Sequence, residues 1–261
     1  MRKSTKRRVG RGVLYLIFVA AVALIVLSAD WERLRANFLQ VDVARNQLPE
    51  MITIAAKNTI LFTVIAFTGG LVLGVILALM KLSTVLPYRW LAIGYIELFR
   101  GLPALLTIFA MAYVLPIAFQ VRVPGGPVGA GLLALILVAG AYMAETIRAG
   151  IQGVPKGQTE AARSLGMPAG LTMVSVVLPQ AFRIVIPPLT NEFVLLVKDT
   201  SLLFIAGSTL MNKEITTFAR DGVINSANST PLLMAAMLYL LITVPLTRLV
   251  AVLERRMARS R

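Results

Sequence analysis

Hydrophobic residues in this chain come in long unbroken runs, not at the spacing of a surface helix or the alternation of a strand. Residues 13–29, 58–80, 101–121, 123–144 and 230–247 contain no Asp, Glu, Lys or Arg. A helix needs about 20 apolar residues to cross the hydrocarbon of a bilayer, so each run predicts a spanning helix. A sixth span is expected over residues 187–211, although Glu192, Lys198 and Asp199 interrupt its apolar character. The expected fold class is all-α, a polytopic bundle of transmembrane helices.

Composition supports that class. Only 15% of the 261 residues are charged, too few to keep a soluble domain of this hydrophobicity dissolved. The formal charge of +14 would suit a nucleic-acid binder, but the basic residues flank the apolar runs. That placement reads as positive charge holding loops on the cytoplasmic side, and no nucleic-acid partner is expected. Absence of His excludes imidazole catalysis and a Ser-His-Asp triad, and absence of Cys excludes thiolate chemistry and disulfides.

Six spans with both termini inside give a consistent topology. The first twelve residues hold Arg2, Lys3, Lys6, Arg7, Arg8 and Arg11 and no acid. A secretory signal peptide begins the same way, but no small-x-small cleavage site follows, so a retained span is expected. Residues 30–50 and 212–229 then lie outside, with acids and bases balanced. The stretch around Lys81, Pro87 and Arg89, residues 149–185, and the C-terminal Arg255, Arg256, Arg259 and Arg261 lie inside. Arg122 in the outer turn marked by Pro124, Gly125, Gly126 and Pro127 is the exception. The chain divides at residue 50 into a basic tail, extra helix and external linker, followed by a transmembrane domain over 51–261.

The connection between spans four and five, about residues 153–185, is too long to be a plain turn. Pro155 suits a first helical turn, Lys156 to Leu165 reads as a short amphipathic helix, and Gly166 stands where a left-handed cap ends one. Pro168 can start a second helix that stops before Pro179. The expectation is a helix–Gly–helix elbow on the cytoplasmic face. A membrane-surface helix is the plainer reading of the same periodicity.

Glu160-Ala161-Ala162, Gly166 four residues on, then Val176, Leu178 and Pro179 resemble the EAA loop of ABC importer membrane subunits. Phe99–Pro103, Gly140–Glu145, Val154–Gln158, Leu178–Arg183 and Lys198–Leu202 look like the polar amino-acid permease branch of that family, which takes up histidine, glutamine, glutamate, arginine and similar substrates. The resemblance covers roughly residues 52–258. It implies a type I importer permease fold, a second permease subunit of the same or a related chain, and an extracytoplasmic amino-acid-binding protein. It also implies a cytosolic ABC ATPase dimer that binds ATP and Mg and docks at Glu160, Ala161, Ala162, Arg163 and Gly166. The family commonly has five spans, so residues 1–50 fall outside the resemblance. No phosphate-binding GxxxxGK[ST] loop occurs in this chain, so ATP hydrolysis and its cofactors belong to the partner and the chain is not an enzyme. Gly70 and Gly74 form a GxxxG pair suited to close helix packing.

Charges inside spans mark candidate pathways, because burying them in lipid is costly. Counting from Pro187, Lys198 and Asp199 lie roughly 16 Å deep, near mid-membrane. With Asn191, Glu192, Thr200 and Ser201 they either line a cavity that meets a zwitterion or neutralise one another and pin the bundle. Glu97 with Arg100, and Glu145 with Arg148, are each one helical turn apart. Either acid pairs within its helix or faces the cavity and holds an amino group. Pro103 and Pro116 are expected to kink span three. Two other classes fit parts of the pattern: an ion-gradient-driven secondary transporter or channel, which leaves the elbow without a purpose, and a membrane hydrolase built on Ser201 and Lys198, which lacks an oxyanion site.

Overall fold

The computed structural model describes residues 3–209 and 211–258. Arg2, Leu210, Arg259 and Arg261 lie outside these, as do the side chains of Lys3, Lys6, Arg7 and Arg8. Among the described residues every regular element is helical. Helix α1 (Lys3–Ser28) stands apart from the rest, and none of Arg11–Ser28 is buried in the chain. Such an apolar surface is stable in lipid and costly in water.

Helix α2 (Trp31–Phe38) is capped by Asp30, whose carboxylate accepts from Arg33 N–H at 3.0 Å. Helix α3 (Val41–Glu50) carries Pro49 and passes through a π-helical turn, Met51–Ala56, into α4 (Lys57–Leu82). The N-terminal extension is clasped to the main bundle. Asn228 Nδ2 donates to Ala36 O, Ser229 N–H to Asn37 O, and Gln40 N–H to Thr230 Oγ1, at 2.8 to 3.0 Å.

Helix α5 (Leu86–Gly101) meets the run Ala104–Phe119 at 105°. The corner has a local cause: Pro103 disfavours helical backbone at the residue before it, and Leu102 is extended at φ −93°, ψ 136°. The run after the corner comprises α6 (Ala104–Phe109), a π turn at Ala110–Val114 and α7 (Leu115–Phe119). The helix that leads to the third apolar run therefore starts at Leu86, and Glu97 and Arg100 lie on it. If the bent pair is one span, the count is six. Pro116 produces no break, because it sits in the first turn of α7 where its missing N–H costs least.

Helix α8 (Gly126–Gln152) is the axis of the bundle and runs parallel to α4. The two backbones touch. A Cβ at Gly70 would stand 2.8 Å from that of Ala139, and one at Gly74 2.9 Å from that of Met143. Lipid offers apolar side chains no reason to leave it, so small residues that admit close van der Waals contact supply the attraction. The GxxxG pair thus does what its spacing predicts.

The elbow is α9 (Lys156–Ser164), a turn at Leu165–Pro168, and α10 (Ala169–Thr172). Beyond it the structure departs from expectation: α10 continues through a π turn, Met173–Val177, into α11 (Leu178–Asp199) and a 3-10 turn, Thr200–Ala206. Pro179 ends nothing, since it lies in the first turn of α11. The helix that carries the fifth span therefore begins at Ala169 and not near residue 187. It runs antiparallel to α8, with Val185 beside Gly150 and Leu203 beside Gly131. Helix α12 (Ile215–Ser226) crosses the end of the bundle away from the elbow, and α13 (Thr230–Ala258) completes it. Glu214 caps α12 and is 1% exposed. Its carboxylate accepts from the N–H groups of Thr216 and Thr217 and from Tyr239 Oη. Burial pushes this carboxyl above the ordinary range while those donors pull it down.

Candidate functional site

The elbow is shaped by its own backbone. Gly166 adopts φ +84°, its N–H donates to Arg163 O at 3.0 Å, and Met167 N–H donates to Ala162 O at 3.2 Å. These two bonds form a Schellman cap, which satisfies carbonyls that the end of α9 would otherwise leave free. Arg163 Nη1 adds a bond to Met167 O at 2.6 Å, so this side chain closes the turn. Gln180 Nε2 reaches Gln158 Oε1 at 3.4 Å and ties α9 to α11.

The faces of α9 differ from the sequence expectation. Ala162 is 6% exposed and packs inward, so it seats the elbow and presents nothing to a partner. Glu160, Ala161 and Ser164 face outward, joined by Leu165 at 85% exposure. Among the described residues the Glu160 Oε atoms have no partner. An exposed leucine beside an unpaired carboxylate on a rigid projecting helix has the composition of a protein contact surface. Leu165 was read as the last residue of the amphipathic helix and not as one of its contact residues.

A second site lies at mid-bundle. A cavity of about 420 Å³ opens at the Gly101–Pro103 corner and is lined by Arg100, Tyr142, Glu192 and Asp199. Its size falls in the usual range for small-molecule sites. The Leu135–Tyr142 stretch of α8 forms its floor, close to the middle of that helix. Asp199 thus lies level with the middle of α8. Arg100 lies over the Tyr142 ring, 5.5 Å from its centroid, which fixes the guanidinium at the cavity wall. Two carboxylates and one guanidinium share the cavity without an ion pair among them.

Several expected residues are elsewhere. Lys198 is exposed on α11 and does not line the cavity, and among the described residues it forms no salt bridge with Glu192, Asp199 or any other acid. Thr200 is fully buried, with Oγ1 donating to Val197 O at 2.7 Å, a helix-end contact. Asn191 and Ser201 do not line the cavity. Glu97 is exposed on α5 and forms no pair with Arg100. Glu145 pairs with Arg148 as its spacing suggests and also with Lys81 of α4, so its carboxylate is fully engaged away from the cavity. The sequence missed Arg100 and Tyr142 as cavity residues, because only the corner at Pro103 brings α5 against α8 there.

A polytopic helix bundle with a capped elbow at one end and a charged mid-bundle cavity defines a membrane transport subunit. Residues 70–259 match the family described as binding-protein-dependent transport system inner membrane component. The chain belongs to that family, a multi-pass component of the inner membrane. It is 41% identical over 204 residues to the probable glutamine ABC transporter permease protein GlnM of Bacillus subtilis (strain 168), covering 78% of this chain and 91% of that one. The L-cystine transport system permease protein TcyB of the same organism is 40% identical over 205 residues, 77% of this chain and 84% of that one. The crystal structure of an amino acid ABC transporter with histidines matches with TM-score 0.76 and 33% identity, over 84% of this chain and 99% of that one.

Proposed function

We propose that the chain is the membrane-spanning permease subunit of an ATP-driven importer for a polar amino acid. Relatives that carry glutamine and cystine support the substrate class. The observation that carries the reading is the cavity, where charges of both signs stand unpaired: Arg100 meets the substrate carboxylate, and Glu192 and Asp199 meet its ammonium. A cytosolic ATPase dimer, holding ATP and Mg, docks on Glu160, Ala161 and Leu165, while Ala162, Arg163 and Gly166 hold the elbow in shape. A second permease subunit completes the pathway, and an extracytoplasmic binding protein delivers the amino acid to the end crossed by α12. Both termini lie in the cytoplasm, where the basic residues collect.

The experiment is co-purification of the chain with its native neighbours, followed by reconstitution and a screen of amino acids for stimulated ATP hydrolysis. The expected result is an ATPase held by the wild type, lost or uncoupled in a Glu160→Lys, Gly166→Asp double variant, and stimulated by one polar amino acid. Purified chain that moves amino acids down an ion gradient without an ATPase would replace this reading with a secondary transporter.

A further inference from the structure

The apolar helices break off at the end of α8 and resume at Ala169, and α9 lies across the gap. A cavity of about 670 Å³ opens in that gap, bounded by the last turn of α8, one face of α9 and the first turns beyond Ala169. Where spanning helices end, hydrocarbon gives way to lipid headgroups, so the cavity stands at the bilayer surface. Its volume is usual for a small-molecule site and much larger than a single ion requires.

Part of the lining carries positive charge without an acceptor. Lys156, Thr159 and Arg163, spaced to share a face of α9, line the cavity together with Gln152 of α8. Among the described residues that line it, none is Asp or Glu. Among the described residues, too, Lys156 forms no salt bridge, and the Arg163 guanidinium uses only Nη1, on Met167 O. Gln152 is occupied through Oε1, which accepts from Arg148 and leaves Nε2 to donate. Glu160, one turn from both cations, lies outside the cavity and pairs with neither. A phosphate answers this set, because its oxygens accept from an ammonium, a guanidinium and an amide at once.

The remaining lining is mostly apolar. Ile151, Val154 and Val177 belong to the cluster that packs α8 on α11, and Met173 lines the cavity beside them. A bare phosphate gains nothing there, whereas a lipid tail buries apolar surface against such a wall. The helix from Ala169 also exposes Leu171, Val174 and Phe182, which are stable against lipid and costly in water.

We propose that the cavity binds an anionic phospholipid of the adjoining leaflet, its phosphate on Lys156, Arg163 and Gln152 and its chain along the apolar wall. Bound there, the lipid closes the gap between the elbow and the bundle. The site requires a bilayer at the elbow end and no ATPase, so its test is independent of the importer assignment.

The test places the full chain in nanodiscs of equal phosphatidylglycerol and phosphatidylcholine and counts the retained lipid by native mass spectrometry. Wild type should retain phosphatidylglycerol in preference to phosphatidylcholine. Lys156→Gln should lower that retention about tenfold, the worth of one hydrogen bond to a charged group, with the helix content unchanged. Arg89→Gln removes the same charge from α5 at the same end of the bundle, outside the cavity, and should leave retention unchanged. A phosphatidylglycerol with a photoactivatable group beside its phosphate should label residues 151–177. Equal retention of the two lipids, an equal fall in both variants, or labelling elsewhere overturns the proposal. Displacement of the lipid by inorganic phosphate at equal concentration assigns the cavity to a free anion and overturns the lipid as its occupant.

Discussion

The elbow and the charged cavity are both polar constructions in an apolar chain, built in opposite ways. The bonds that cap the elbow join residues 162–167, so its shape is fixed by one short stretch and survives movement of everything around it. The cavity draws Arg100 from α5, Tyr142 from α8, and Glu192 and Asp199 from α11, and no ion pair locks these charges together. A locally closed element can be pushed as a handle. A site shared among helices changes whenever those helices shift. The difference suits a machine in which the handle is rigid and the site is adjustable.

The largest expected effect comes from Ala162→Asp, which places a carboxylate on the inward face of α9. An unpaired buried charge costs about 3–5 kcal/mol, so the elbow should melt locally and ATPase co-purification should be lost. The neighbouring Ala161→Asp faces outward and should leave the thermal midpoint of the chain unchanged while weakening ATPase retention. Equal loss of midpoint in both variants would mean the two faces of α9 are not distinct. Next in size is Arg100→Glu, which gives the cavity three carboxylates. A hydrogen bond to a charged group is worth about 1.5–3 kcal/mol, so uptake should fall roughly tenfold or more with ATPase retention intact. Wild-type uptake in Arg100→Glu would remove the cavity from the pathway.

These paired variants also show how much was legible in sequence. The elbow was, through α9 and its cap at Gly166, because a Schellman cap is written within six residues and its glycine is required by φ +84°. The small-residue seam of α4 with α8 was legible for the same local reason. The cavity was half legible. Glu192 and Asp199 stand out as acids within a span, but Arg100 is separated from them by about ninety residues of sequence. Only the extended backbone at Leu102 turns α5 toward α11. The start of the helix that carries the fifth span was misread because Pro179, Pro187 and Pro188 look like helix ends. A π turn and a first-turn position absorb Pro179, and α11 runs on through the other two.

Smaller effects sharpen the contrast. A Cβ at Gly166 meets nothing within 4 Å, so substitution there is penalised by backbone conformation alone. Gly166→Val should cost about 1–2 kcal/mol in elbow stability, read as a lower midpoint of the purified complex. Gly166→Asn should cost less, because asparagine tolerates the left-handed region. The smallest effect lies far from both sites, at Glu214. Burial holds its carboxyl above the ordinary value of 4.5, so the folded chain keeps that proton to higher pH than the unfolded chain does. Its contribution is present below 4.5 and is lost as pH rises through the raised value. Glu214→Gln should flatten the stability profile above this ordinary value, read as a smaller fall of the thermal midpoint as pH rises.

The absence of cysteine from the chain makes a single introduced thiol a clean probe of the elbow. A benzophenone maleimide attached at Leu165→Cys, in the assembled complex under illumination, should form an adduct with the ATPase subunit. The same probe at Ile224→Cys, 69% exposed on α12 at the opposite end, should form none. No ATPase adduct at Leu165, or one equally strong at Ile224, would contradict the assignment of the elbow as the surface on which the ATPase acts.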